Sequence, residues 1–258
     1  MSNRNMWSLA FSVFTLTGLL WVTAAEAQWG TIKGQVIVVG EVPHIPMLVT
    51  KGDGAVKDAA VCAAQDIPNE SLVVNPQSRG LANVAILLNQ KPARIHPDLT
   101  ESKIKEVVFK QQGCRFVPHV LLVRTDQRVR VACDDLVAHN VHPFPRRNPQ
   151  FGIVVPPSDP MGYLEPTNLT KPESLPVSVR CDIHPWMQAY WVVLDHPYAA
   201  VSNEEGEFEI VNLPEGENEF SVWQEKAGYL EKHYKVLVKS GPNKLDPITV
   251  PAEKFSEK

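Results

Sequence analysis

The chain has 258 residues, of which 44% are hydrophobic and 21% are charged, so it can bury one large core or two small ones. Proline accounts for 22 of the 258 residues, which is more than the average usage of about 5%. This content favours short strands and loops over long helices. The formal net charge of −4 disfavours a nucleic-acid partner, which would require a basic face.

The first residues of the chain predict a secretory signal peptide over 1–27. Residues 8–24 are almost wholly apolar, Arg4 precedes them, and Ala25-Glu26-Ala27 has the small-x-small pattern of a cleavage site. An uncleaved membrane anchor is the alternative, but the apolar run is short for a full span. We therefore expect a mature chain that starts at Gln28, is soluble, and is periplasmic or secreted, where disulfides can form.

Short β-branched runs between turn signals predict an all-β protein. A proline-rich stretch over 143–175 predicts a long irregular excursion, and a helical turn is expected within 55–65. The predicted strands are 31–39, 83–89, 104–110, 119–124, 127–132, 176–181, 189–195, 207–211, 218–224 and 234–239.

The segment Cys181-Asp182-Ile183-His184-Pro185-Trp186-Met187 carries the pattern C-x-x-H-x-x-M between two predicted strands. A thiolate, an imidazole and a thioether this close together suit copper far better than calcium or magnesium, and structural zinc rarely takes a methionine. Upstream, His139 supplies a second imidazole from another strand end. These residues predict a trigonal site of His139, Cys181 and His184 with Met187 as the weak axial ligand, which is the blue-copper arrangement.

The first imidazole has an alternative. His142 follows His139 by three residues, and strand alternation places the two side chains on opposite faces. Only one of them is therefore expected to reach the metal, and we favour His139.

Residues 104–195 resemble a whole cupredoxin domain, and their C-x-x-H-x-x-M loop resembles that of the amicyanin-type members. The family's F-x-P and D-x-x-x-H-N elements match Phe116, Pro118, Asp135, His139 and Asn140. The resemblance implies a Greek-key β-sandwich that holds one type 1 copper ion. It also implies that Asn140 orients the ligand loop and hydrogen-bonds the thiolate, which would tune the metal.

By the same resemblance, electrons would leave through an exposed edge of His184. Pro185 and Trp186 would frame that edge, and Phe144 would add to its apolar rim. A small apolar patch of this kind suits brief docking to a redox partner protein, which the sequence does not identify.

Four cysteines remain in the mature chain, and Cys181 is assigned to the metal. Three are then left, so one of them must stay free. A disulfide between Cys62 and Cys114 is favoured, which leaves Cys133 free, and a Cys114–Cys133 bridge is the competing option.

The flanking residues are similar to the two halves of a carboxypeptidase regulatory-like, or transthyretin-like, β-sandwich. Residues 30–36 read G-x-I-x-G-x-V, and residues 206–216 contain G-x-F-x-I followed by an L-P-x-G turn. This predicts a cupredoxin domain over 104–195 inserted between the sandwich halves 28–103 and 196–251, with 252–258 as a tail. Two or three sequential units are the alternative.

Together these features favour an extracytoplasmic mononuclear type 1 copper protein that transfers single electrons. We expect no enzyme, because the chain has no paired carboxylates, Ser/His/Asp set or phosphate loop. Two alternatives stay open. One is a copper-binding or delivery protein without a redox role, and the other is a carbohydrate- or surface-binding module in which Trp223 and Tyr229 would stack on a sugar.

Overall fold

The structure, a computed structural model, describes residues 29–166 and 168–256. The predicted signal peptide over 1–27 lies outside the described residues. Strands dominate the fold, as the sequence predicted, and within the described ranges no helix is long and apolar enough to cross a membrane. The strands are β1 (Trp29–Val39), β2 (Ala85–Leu88), β3 (Glu106–Gln111), β4 (Phe116–Val117), β5 (Val120–Arg124), β6 (Arg128–Cys133), β7 (His139–Pro143), β8 (Ile153–Val155), β9 (Asp159–Leu164), β10 (Val177–Arg180), β11 (Gln188–Leu194), β12 (Ala199–Val201), β13 (Glu207–Pro214), β14 (Gly216–Gln224), β15 (Gly228–Val238), β16 (Gly241–Lys244) and β17 (Ile248–Pro251).

Across residues 29–166 and 168–256, helical structure is limited to short turns. The α-helix α1 spans Ala59–Cys62, and 3₁₀ turns span Pro97–Leu99 and Ala252–Phe255. The four-residue α1 falls inside the helical turn expected over 55–65.

Strands β3 to β11 form two sheets around one core. One sheet has the order β5-β11-β10-β7-β8, and the other has the order β4-β3-β6-β9. Alternate residues of these strands are buried, because a strand directs successive side chains to opposite faces. Phe109 from β3 meets Trp191 from β11 edge to face across the core, with ring centroids 5.2 Å apart. These two sheets therefore pack as a β-sandwich.

The other eight strands form two further sheets. β1 lies between β13 and β16 and also pairs with β17, while β12, β2, β14 and β15 form the second sheet in that order. Their shared core includes Ile32, Leu81, Tyr198 and Phe220, all fully buried. β1 precedes the first sandwich in sequence and its antiparallel partner β13 follows it. Strands from both sides of residues 104–195 therefore share one core.

The strands β8 and β9 differ from the predicted pattern. The region 143–175, predicted to be irregular, contains β8 and β9. Both are short, and β9 carries the exposed Met161 and the tightly packed Gly162, so it lacks the apolar alternation that would reveal a strand. β9 contains Pro160, and proline is tolerated there because β9 lies at a sheet edge.

Residues 49–67, which we name the cap segment, fold onto the first sandwich. Val49 and Ile67 pair at its two ends, and Val49, Cys62 and Ile67 belong to the core of β3 to β11. A disulfide bond between Cys62 and Cys114 joins the segment to the loop before β4. This position brings the segment next to the ligand loop after β10.

Candidate metal centre

The C-x-x-H-x-x-M residues form the tight loop between β10 and β11. The Cys181 amide donates to the Met187 carbonyl at 3.2 Å, and the Met187 amide donates to the His184 carbonyl at 3.0 Å. The Cys181 sulfur accepts the amide hydrogens of His184 at 3.4 Å and of Asn140 at 3.5 Å. The loop is therefore closed by its own backbone, and its sulfur is held by two N–H donors.

Strand pairing brings the distant imidazole to this loop. β7 pairs with β10 in antiparallel fashion, which places His139 at the start of β7 beside Cys181. His139 Nδ1 lies 2.9 Å from His184 Nδ1, and Cys181 Sγ lies 3.9 Å from His184 Nδ1. All three side chains are buried, and one ligand atom from each lies within 4.8 Å of the others. Met187, from the same loop, is buried in the same core.

The outer nitrogen of each imidazole meets a carboxylate. His139 Nε2 lies 2.9 Å from Asp135 Oδ2, and His184 Nε2 lies 2.9 Å from Asp58 Oδ2. A carboxylate fixes the tautomer in which the facing nitrogen carries the hydrogen. Both Nδ1 lone pairs then face each other across 2.9 Å, which is unfavourable unless the two nitrogens share a proton or bind one metal ion. This donor set fits a metal ion.

The charges around the thiol favour its ionised form. Burial raises the pKa of Cys181, but the neighbouring imidazoles of His139 and His184 and the two backbone amides that donate to the sulfur outweigh burial and lower the pKa to about 6. Burial also opposes the charging of His139, but Asp135 and the Cys181 sulfur raise its pKa. A thiolate at neutral pH is the form that binds a soft or borderline metal.

Asp135 is fixed by the loop before β4. Its two oxygens accept the amide hydrogens of Gly113 at 2.6 Å and Cys114 at 2.8 Å. Burial raises its pKa, but the hydrogen bonds from His139 and the two amides outweigh that effect and lower it. The carboxylate that orients His139 is therefore ionised and has little freedom to move.

Asn140 connects β7 to the ligand loop. Its amide nitrogen donates to Asp182 Oδ2 at 2.7 Å, and its amide oxygen accepts the Asp182 N–H at 2.6 Å. The side chain therefore orients the loop, whereas the hydrogen bond to the Cys181 sulfur comes from the Asn140 backbone.

His142 lies apart from this cluster. Its Nδ1 lies 2.9 Å from Asp182 Oδ2, its Nε2 lies 2.7 Å from Gln150 Nε2, and its ring packs on Phe144. His139 is fully buried whereas His142 is partly exposed, so the two side chains point to opposite faces of β7.

The expected electron-exit patch lacks its central feature, an exposed edge of His184. The His184 side chain has no exposed edge, because Asp58 covers its Nε2 atom. Trp186 is half-buried and donates its indole N–H to the Cys114 carbonyl at 3.2 Å. Pro185 is exposed, and Phe144 lies at the surface beneath the Arg180 guanidinium. An exposed edge of His184 was therefore a wrong expectation for the described part of the chain.

Sequence reasoning missed Asp58. The residue lies 126 positions from His184, in a stretch with no recognisable motif. A lone aspartate in a polar turn gives no local signal that it will reach a buried imidazole.

Cys133 and Trp223 are both buried. Cys133 is buried and free, and its sulfur lies 3.4 Å from the Val137 carbonyl. Burial raises the pKa of its thiol, so it stays protonated. Trp223 is buried at the junction of the two sandwiches, where its ring contacts Tyr190. It therefore offers no flat face for stacking on a sugar.

Comparison with known proteins gives structural matches alone. No protein-family profile and no curated protein sequence matches the chain. A Cu-containing nitrite reductase from Thermus scotoductus SA-01 matches 34% of this chain and 22% of its own, at 23% identity and a TM-score of 0.28. An amicyanin variant in its reduced Cu(I) form matches 42% of this chain and 97% of its own, at 16% identity and a TM-score of 0.29.

These matches correct one expectation. The sequence analysis expected no enzyme, and that exclusion was wrong, because a copper nitrite reductase is among the structures similar to this chain. The match spans about a fifth of the nitrite reductase chain and does not assign that activity here. What points to copper in this chain is its own donor set of a thiol, two imidazoles and a thioether.

Proposed function

We propose that the chain would bind one copper ion through His139, Cys181 and His184, with Met187 as a further donor, and that it transfers single electrons. The observation that carries the proposal is the pair of imidazole Nδ1 atoms facing each other at 2.9 Å beside a thiol whose pKa is lowered to about 6. A copper ion would supply the Cu(II)/Cu(I) couple.

The protein's contribution is a set of donors that is already in position. Backbone hydrogen bonds between Cys181 and Met187 close the ligand loop, and two amides hold the sulfur. A carboxylate holds each of the two imidazoles. Donors that cannot move hold nearly the same geometry for both oxidation states, which keeps the reorganisation energy of electron transfer small. The same buried donors exclude water from the centre.

We further propose where the protein acts, how its domains are arranged and where its redox partner docks. The mature protein would act in the periplasm or outside the cell, where the Cys62–Cys114 disulfide can persist. Residues 104–195 would form the copper domain, inserted into a carboxypeptidase regulatory-like sandwich formed by 28–103 and 196–251. The redox partner would dock on the exposed surface near Phe144 and Pro185, since the edge of His184 is covered.

The test adds Cu(II) to the mature protein and records its visible and electron paramagnetic resonance spectra. We expect an intense charge-transfer band that disappears in Cys181→Ser and persists in the matched control Cys133→Ser, whose thiol is equally buried. His139→Ala should lose the band, whereas His142→Ala should keep it. Colourless, weakly bound copper in the wild-type protein would refute the electron-transfer proposal.

The closest alternative is copper delivery without a redox role, which uses the same ligands. Voltammetry separates the two functions. A reversible wave with fast electron exchange supports electron transfer, whereas rapid loss of Cu(I) to a competing chelator, without a reversible wave, supports delivery.

A further inference from the structure

The cap segment, residues 49–67, reaches the metal centre through one side chain. The Asp58 carboxylate lies 2.9 Å from His184 Nε2, and the His184 side chain is completely buried. The Asp58 side chain itself remains partly exposed, so it stands between the imidazole and solvent. Without it, the outer edge of His184 would face water.

The backbone at Asp58 is shaped for this contact. The residue adopts a left-handed conformation, with φ 56° and ψ 36°, directly before α1. Aspartate, asparagine and glycine tolerate this conformation best among the amino acids. The turn therefore directs the carboxylate inward at a position where most side chains would be strained.

The cap segment is anchored at several points around Asp58. Cys62, four residues later, is bonded to Cys114, and the Gly52 amide donates to the Ala63 carbonyl at 2.8 Å. The Lys51 amide donates to Asp66 Oδ1 at 2.7 Å, which closes the base of the segment. An anchored turn can hold a carboxylate in one place without further contacts.

We propose that Asp58 is a positioning residue for the metal centre and that the cap segment controls the exchange of copper. Asp58 holds the His184 ring in the tautomer whose Nδ1 is free to bind, and it shields the ring from solvent. Copper then enters and leaves slowly, because the cap segment must move before water or a chelator reaches His184. This inference rests on the proposed function. It gives residues 49–67, which lie outside the proposed copper domain, a role at the metal centre.

Four variants of the full mature chain separate this role from a general effect of the segment. Asp58→Gly removes the carboxylate and keeps a residue suited to the left-handed backbone, and Asp58→Asn keeps a hydrogen-bond acceptor but removes the charge. Asp53→Gly and Asp53→Asn make the same changes on the same segment. The Asp53 carboxylate accepts the Ala55 amide at 2.9 Å and lies in an exposed turn.

Copper affinity and the rate of copper loss to a chelator are the main readouts. Removing a carboxylate that orients a ligating histidine costs about 10–100-fold in metal affinity, so we expect that loss in Asp58→Gly and a smaller one in Asp58→Asn. Chelator-driven release should accelerate in the same order. The reduction potential should rise in both Asp58 variants, because a negative charge that favours Cu(II) is gone.

A readout that needs no copper completes the test. Nitrogen NMR of the metal-free protein should show His184 as the Nε2–H tautomer in the wild type and a mixture of tautomers in Asp58→Gly. Affinity, release rate and tautomer of Asp58→Gly that all match Asp53→Gly would overturn the inference and leave the proposed function intact. A wild-type protein that binds no copper would overturn both.

Discussion

The disulfide between Cys62 and Cys114 is expected to be a major source of stability. The two residues are separated by 52 positions in sequence. Closing a loop of that length removes about 14 cal/mol/K of entropy from the unfolded chain, which corresponds to about 4 kcal/mol at 25 °C. Since a whole domain is stable by about 5–15 kcal/mol, loss of this bond should leave the first sandwich marginal.

The measurement is denaturant unfolding of the metal-free protein, oxidised and reduced, and of Cys62→Ala combined with Cys114→Ala. The reduced wild type tests the cross-link with unchanged side chains, whereas the double variant also removes two buried sulfur atoms. Cys133→Ala is the control for that second effect, because Cys133 is buried and free. A reduced protein within about 1 kcal/mol of the oxidised one would refute the entropy argument, given that the relation predicts about 4 kcal/mol.

Three further substitutions test other parts of the fold. Burial raises the pKa of Asp126, but the hydrogen bonds from Ser102 outweigh burial, so the pKa of the folded protein is lowered. The ionised carboxylate therefore stabilises the fold at pH values above the ordinary aspartate pKa of about 3.9. This stabilisation is lost as the pH falls through the folded pKa. Urea unfolding should show that Asp126→Asn destabilises the protein at pH 7 and has little effect near the acid end; an equal loss at both would contradict this assignment. Gly206→Ala should cost more than about 1 kcal/mol in thermal unfolding, because φ is +76° and the new Cβ would lie 2.2 Å from the Val36 carbonyl oxygen. Phe220→Ala should cost about 3–5 kcal/mol, since its ring is fully buried in the second core, and an unchanged melting temperature in either variant would contradict the packing described here.

Strands with strong alternation were predictable from the sequence. β6, β10 and β11 combine β-branched residues with alternate burial, and each corresponds to a predicted strand. β16 and β17 escaped prediction because they are short and pair with β1 over a long sequence distance. Their position depends on the partner strand, and local residue preference carries little of that information.

How much of the metal centre could be predicted depended on how close its residues lie to one another in the sequence. Cys181, His184 and Met187 share one loop, so their spacing alone indicated a metal site. Strand alternation alone predicted that His142 and His139 lie on opposite faces of β7, as they do. Which of the two faces the Cys181 loop depended on the pairing of β7 with β10, which the sequence does not show. Asp58 needed the full fold, because the contact is set by a turn and a cross-link and by no pattern near His184.

The disulfide connects the two carboxylates that hold the imidazoles. Gly113 and Cys114 have φ values of 63° and 51°, and this pair of left-handed residues directs both amides at Asp135, which fixes His139. The Cys114 sulfur is bonded to Cys62, four residues after the Asp58 that contacts His184. Because one covalent bond anchors both supports, breaking it should disturb both nitrogen donors together. The stability of the first sandwich and the affinity of the centre for copper are therefore coupled through the same bond.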